Sequence, residues 1–183
     1  MKRCSWVPQS NKLYCDYHDL EWGKPIFDDR ELFELLCLES YQSGLSWLTV
    51  LKKRQAFRQV FSNYDIDKVA QFSEVQIAEA LQNSAIIRHR LKLTATVKNA
   101  KAVKVIQEEF GSFSAYLWGF CYGKPLVNIV NSSHPVATQT DLSKALAKDL
   151  KKRGFAFLGP TTVYSFMQAS GMVNDHEDTC DFK

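Results

Sequence analysis

Glu39 is a carboxylate in apolar company. It follows a stretch in which Leu32, Phe33, Leu35, Leu36 and Leu38 recur at helical spacing, so it falls at the C-terminal end of a predicted helix. The helix dipole disfavours a negative charge there, and a lysine is the expected choice. Trp6, Tyr14, Tyr17, Trp22, Tyr41 and Trp47 lie in the same part of the chain: the first 50 residues hold three of the four tryptophans and three of the seven tyrosines. Flat rings beside an acceptor-only carboxylate suit a ligand with a π-face, some positive character and an amino group to donate, such as an alkylated purine. The alternative is a solvated glutamate beside core aromatics.

A second constellation is Cys4, His18, His176 and Cys180. His176 and Cys180 are four residues apart, which suits one helical turn, and a Cys₂His₂ set is a common closed tetrahedral zinc site. Here such a site pins the two ends of the chain together and restricts the unfolded chain. Cys15-x2-His18 is an alternative half-site, and spacing does not choose between Cys4 and Cys15. The competing reading is free thiols and exposed histidines. Cys37 and Cys121 read as buried small hydrophobes. Five cysteines with no secretory signal argue for reduced thiols rather than a disulfide framework.

The third is Lys151-Lys152-Arg153, followed by Gly154, Gly159 and Thr161-Thr162. Glycines permit close backbone approach, and the first N–H groups of a helix lack internal partners, so a hairpin of this kind can grip a phosphate. An ordinary helical hairpin with a glycine cap is the plainer reading.

Helical periodicity supplies the elements that position these groups. Apolar faces predict helices over 29–39 and 46–61, broken at Ser43-Gly44. Ser73 and Gln76 match a capping box that opens a short helix closed by Asn83-Ser84. A long amphipathic helix is expected over 87–109 with Gly111 as its cap, and a short aromatic one over 112–120. Residues 123–138, with Gly, two Pro and Asn-Ser-Ser, read as a long surface loop. Helices follow over 141–152 and, from Pro160, to about Ser170. Sustained period-two alternation is missing, so an all-α chain of seven or eight helices is expected.

Length and composition set the frame. The 183 residues, 45% hydrophobic and 23% charged, favour one folded domain over 1–183 and exclude disorder as the main state. No apolar run is long enough for a membrane helix or a signal core, so a soluble, cytoplasmic protein with no membrane partner is expected. A net charge of +3 does not establish a polyanion partner. The clustering of Lys52-Lys53-Arg54, Arg88-His89-Arg90 and Lys151-Lys152-Arg153 can still build a basic face, though any single triplet also suits a solvated helix surface.

Together the motifs resemble the 3-methyladenine DNA glycosylase I family of bacterial alkylation repair over nearly the whole chain. The resemblance is carried by Arg3-Cys4-x-Trp6, Tyr14-x2-Tyr17-His18-Asp19-x-Glu21-Trp22-Gly23, Leu38-Glu39, Gln42-x-Gly44-Leu45-Ser46-Trp47, Ile86-Ile87-Arg88-His89-Arg90, Leu150-Lys151-Lys152-x-Gly154-Phe155-x-Phe157-Leu158-Gly159 and Asn174-Asp175-His176. It implies an all-helical fold of the helix–hairpin–helix glycosylase superfamily, with the hairpin module at about 141–170. It also implies a structural zinc held by Cys4, His18, His176 and Cys180 that joins segments 1–25 and 171–183. By the same resemblance Glu39 is the catalytic-site carboxylate that receives the damaged base, and Tyr17 and Trp47, with Tyr14, Trp6 and Trp22, bind it.

The implied activity is base-excision repair: a monofunctional glycosylase opens double-stranded alkylated DNA and releases free 3-methyladenine without a strand-cleaving lyase step; a monomer is the default expectation. Contacts to DNA fall to Gly44 and Leu45, as a wedge, and to Lys151, Lys152, Arg153, Gly159, Thr161 and Thr162. The chain departs from close relatives at Tyr41 and Ser43, beside the expected pocket rim, and its hairpin reads Phe157-Leu158-Gly159 rather than Gly-x-Gly. The family lacks the superfamily's catalytic aspartate, and Asp175, next to an implied zinc ligand, is not assigned that role. Two rival readings are a zinc-stapled DNA-binding module without catalysis and a zinc hydrolase, although four protein ligands leave the latter no open position for water.

Overall fold

Side chains that cap their own helices set most of the boundaries. In the computed structural model, which describes residues 1–183, Asn11, Asp28, Ser46 and Asp65 each accept a backbone N–H in the first turn of the helix they precede. They open α1 (Lys12–Leu20), α2 (Asp29–Gln42), α3 (Trp47–Val60) and α4 (Ile66–Ala70). The Ser73–Gln76 capping box opens α5 (Glu74–Ala80), and His89 caps α6 (Arg90–Phe110), which Gly111 ends in the left-handed conformation. Ser112 and Thr140 start α7 (Phe113–Gly119) and α8 (Asp141–Lys152). The last helix, α9 (Pro160–Ala169), begins with proline after Gly159 and has no side-chain cap, so its first N–H groups are left open.

Nine α-helices stand where seven or eight were expected. The two unexpected ones are α4, five residues long, and α1, whose inward face carries Cys15, Tyr17 and His18 in place of an aliphatic stripe. The long helix starts at Arg90 rather than 87 because His89 is its cap. Segment 123–138 is largely loop, as expected. The strand-free expectation is corrected at one point: Leu126–Val127 (β1) pairs in parallel with Val173–Asn174 (β2). Strands of two residues cannot display alternation, and their pairing is non-local. No helix is long and apolar enough to cross a membrane.

One core of 48 buried residues extends from Cys4 to Cys180. At its centre α2, with ten of fourteen residues buried, packs against α3, α6, α7 and α9. Its buried Glu34 accepts hydrogen bonds from Arg54 Nε at 2.6 Å and Arg58 Nε at 2.8 Å. Lys53 donates to the carbonyls of Ser84, Ala85 and Ile86. Two residues of the first basic triplet therefore hold the fold together. Behind α9, Gly171 has φ +74°, and a Cβ there would lie 2.4 Å from the carbonyl carbon of Lys24 and from the nitrogen of Pro25.

Gly171→Ala is therefore expected to destabilise the protein by at least ~2 kcal/mol, through both the clash and the strained φ. Gly119→Ala, in α7 with no neighbour within 4 Å of the added methyl, should lie within ~1 kcal/mol of wild type and on the stabilising side. Urea unfolding of the two variants checks the pair.

Candidate functional site: an aromatic cup around a buried carboxyl

Between α1, α2, α3 and α9 the helices leave a cavity of about 260 Å³. Glu39 and all five expected base-binding aromatics, Trp6, Tyr14, Tyr17, Trp22 and Trp47, line it. Trp47 and Tyr17 meet with centroids 5.3 Å apart and planes tilted by 52°. Trp6 sets its edge against Tyr14 at 5.8 Å and Trp22 at 4.9 Å, which locks three walls together. Tyr41 is not among them. Its ring stacks on Phe57 at 4.4 Å and its hydroxyl shares a 2.7 Å hydrogen bond with Thr96, all inside the core. Residue 41, expected beside the pocket rim, thus belongs to the core and leaves the cup untouched.

Glu39 is only 5% exposed. No group of the chain hydrogen-bonds its carboxyl, and burial alone pushes its pKa up to about 8. The Trp47 indole Nε1 is also buried without a partner. A cup with an unpartnered donor, an unpartnered acid and aromatic walls is built for a polar, flat guest. The cation expected at the end of α2 comes from another helix: Lys92 of α6, itself buried, donates to the carbonyls of Tyr41 at 2.9 Å and Ser43 at 2.8 Å. Lys92 carried no sequence signal as a cap, and neither did Ser165 and Gln168 of α9 or Val136, which complete the lining.

Beside the cup, and sharing Glu39, Gln42 and Ser165 with it, lies a wider recess lined by Ser43, Gly44, Leu45, Ser46, Thr161 and Thr162. The structure so brings the Gly44-Leu45 turn, with Gly44 at φ +80°, next to the open N-terminus of α9. Leu45 is exposed. Gly159 immediately precedes that terminus, and Gly154, at φ +93°, ends α8. Lys151 and Lys152 are exposed and enter no ion pair. Arg153 is held elsewhere: it pairs with Asp149 at 2.7 Å and Glu109 at 2.6 Å and lies over the rings of Phe110 and Tyr116.

Three of the four expected sulfur and imidazole groups converge behind the aromatic walls, and the fourth, His176, lies beside them. Cys4, His18 and Cys180 place their ligand atoms within 4.8 Å of one another, all buried. The His176 ring lies 5.1 Å from that of His18. Each histidine has its Nδ1 occupied, His18 by Asp19 at 2.8 Å and His176 by Asn174 at 2.8 Å, so Nε2 is the atom left to face the cluster; that of His18 lies 3.6 Å from Cys180 Sγ. Asp19 is in turn gripped by Arg3 through three contacts of 2.7 to 3.0 Å. His176 Nε2 is buried with no partner, and burial lowers that imidazole's pKa to about 4, which keeps it neutral. Cys15 stays outside, with its thiol directed to the carbonyls of Pro8 and Gln9.

The family model for methyladenine glycosylases matches residues 6–183. A DNA-3-methyladenine glycosylase of Haemophilus influenzae is 51% identical over 181 residues, which cover 99% of this chain and 97% of that protein. DNA-3-methyladenine glycosylase 1 of Escherichia coli is 46% identical over 180 residues, covering 98% and 96%. Among solved structures, a tyrosine-to-phenylalanine variant of 3-methyladenine DNA glycosylase I in complex with 3-methyladenine superposes with a TM-score of 0.95 at 40% identity, covering 100% of this chain and 98% of that one.

The buried carboxyl makes a prediction about stability. An acid whose folded pKa is raised contributes stability that is complete below its unfolded value, near 4.5, and is lost as pH rises through about 8. Glu39→Gln removes that loss. The variant should match wild type near pH 4 and exceed it increasingly up to pH 8, by at most ~3 kcal/mol at pH 7. Thermal unfolding of both proteins across that range tests it; equal midpoints at pH 8 would refute the unpartnered burial.

Proposed function

The chain belongs to the methyladenine glycosylase family, and from that premise we infer that it hydrolyses the N-glycosidic bond of 3-methyladenine in alkylated DNA, with the aromatic cup as the seat of the extruded base. The observation that carries this reading is Glu39, a buried acid with no partner of its own inside five aromatic rings.

Methylation at N3 makes the base cationic while it is still attached to the sugar, so the bond is weakened before the protein acts. The protein's part is to open the duplex, extrude the base and hold it. Glu39 ionises reluctantly in the empty cup. A cationic base entering beside it compensates the charge and accounts for the lost proton, whereas neutral adenine offers no such compensation. The purine amino group donates to the carboxylate, and Trp47 and Tyr17 supply stacking faces, with Tyr14, Trp6 and Trp22 closing the walls. The base leaves as neutral 3-methyladenine with the bonding electron pair, and water adds to the sugar carbon and gives up one proton to solvent. An abasic site remains, and the charge compensation ends with the reaction, which favours release.

In this reading α8, the 153–159 hairpin and α9 are the hairpin module of the helix–hairpin–helix superfamily. Lys151 and Lys152 neutralise phosphates of double-stranded DNA, while the N–H groups after Gly159, with Thr161 and Thr162, grip one. Arg153, engaged by two carboxylates, positions the hairpin instead. The exposed Leu45, raised by Gly44, is the wedge that fills the gap in the stack. The protein acts as a monomer.

The Cys4, His18 and Cys180 cluster, with His176 beside it, fits zinc: two sulfurs, the His18 Nε2 that faces Cys180, and the His176 Nε2, buried without a partner, make up the donors of a closed Cys₂His₂ set. Bound there, zinc supplies a cross-link between the N- and C-terminal segments and leaves no position for a water nucleophile.

Two outcomes follow. Methylated DNA incubated with the protein should release 3-methyladenine, identified chromatographically, and Glu39→Gln should slow release by about 10- to 100-fold while remaining folded. Absence of released base at high protein concentration would instead favour a binding module. Second, chelation or Cys180→Ser should remove about one equivalent of zinc by metal analysis and lower the melting temperature by several degrees or more. Lost turnover in a protein of unchanged stability would point to a catalytic metal.

A further inference from the structure

One polar side chain of the cup is oriented from outside it. Gln168 lines the cavity with Glu39, and its amide is anchored from behind, where Nε2 donates to Asp175 Oδ2 at 2.7 Å. Asp175 is buried and accepts two further hydrogen bonds, from the Tyr164 hydroxyl at 2.7 Å and from Asn128 Nδ2 at 2.7 Å. A carboxylate only accepts, so the amide nitrogen must face it; the reversed amide would set oxygen against oxygen in a buried site. Gln168 Oε1 consequently has no partner within the chain. It remains the free acceptor of an amide that borders the cavity.

We propose that Gln168, held in this orientation by Asp175, is a specificity-determining residue that selects 6-amino over 6-oxo purines. The proposal rests on the cup being the base site. Glu39 and Gln168 then present two acceptors to one guest. An exocyclic amino group has two N–H donors to offer them, whereas a 6-oxo group brings lone pairs toward lone pairs. Leaving a built acceptor opposed by another acceptor is the kind of mismatch that separates close analogues far better than shape does. Asp175 touches no base in this scheme and acts through Gln168, as a positioning residue. This gives a buried carboxylate with three converging donors a task that the hydrolytic step does not.

Tryptophan fluorescence of the intact protein, titrated with free 3-methyladenine and with free 3-methylguanine, provides the test, since three tryptophans line the cup. Gln168→Met keeps the length of the side chain and removes the acceptor. It should weaken 3-methyladenine binding roughly tenfold without weakening 3-methylguanine, so the ratio of the two affinities contracts by the same factor. Asp175→Asn supplies an amide that can donate, which frees Gln168 to turn its nitrogen inward; the ratio should contract further, through improved binding of the 6-oxo base, in protein whose metal content equals that of wild type. This second variant keeps the test available should the first not fold. Equal losses for both bases, or an unchanged ratio, overturn the proposal and leave Gln168 a packing residue. Failure of the wild-type protein itself to bind 3-methyladenine removes the base-site reading, and this proposal with it.

Discussion

The governing constraint is an ionisable acid buried in an aromatic cup near the end of a helix with ten of its fourteen residues buried. Placing Glu39 there is unfavourable twice over, because burial opposes its charge and because the carbonyl end of α2 repels it. The fold tolerates this through α2 itself. Ten buried residues, packed on four other helices, fix the helix whatever its last turn carries. Lys92 then occupies the terminal carbonyls and answers the dipole without reaching into the cavity as a partner for Glu39. The acid is supported on its helix and left chemically unsatisfied, and that is the condition under which a cationic guest has something to offer it.

Basic residues divide along the same line between those consumed by the fold and those left for a partner. Arg54 and Arg58 satisfy the buried Glu34, Lys53 closes the 84–86 turn, and Arg153 is enclosed by Asp149, Glu109 and two rings. Lys151 and Lys152, on the last turn of α8, are unpaired. Adjacent residues of one type in one triplet have thus been given opposite tasks, and net charge, which counts them alike, could not separate them.

The sequence made the site legible more readily than its supports. Aromatics, Glu39 and the Cys/His set stood out because their types are chemically unusual where they occur, and the long helices stood out through apolar period. What stayed hidden is local structure whose pattern is overwritten or too short. Helix α1 was masked because Tyr17 and His18 take inward positions that leucines would occupy in an ordinary helix. The β1–β2 pair spans two residues a side. Lys92 and Gln168 gain their meaning only from helices that meet them in space, far away in sequence, and Tyr41 carries the same ring whether it lines a cup or, as here, fills the core.

The cup and the Cys/His cluster share walls, which ties the packing of the chain ends to the geometry of the cup. Trp6 meets the His18 ring edge-on at 5.3 Å and Trp22 meets that of His176 edge-on at 4.6 Å, and both indoles also line the cavity. Gly23, at φ +75°, has no side chain because a Cβ there would sit 2.6 Å from His176. His18 and Tyr17 are neighbours on α1, one turned toward the cluster and the other toward Trp47. Fixing the two histidines therefore fixes two indole planes, and through α1 the tyrosine that faces Trp47. A cluster outside the cavity can still determine how well the rings meet a flat guest, because aromatic recognition depends on plane and distance, and those are set here from behind.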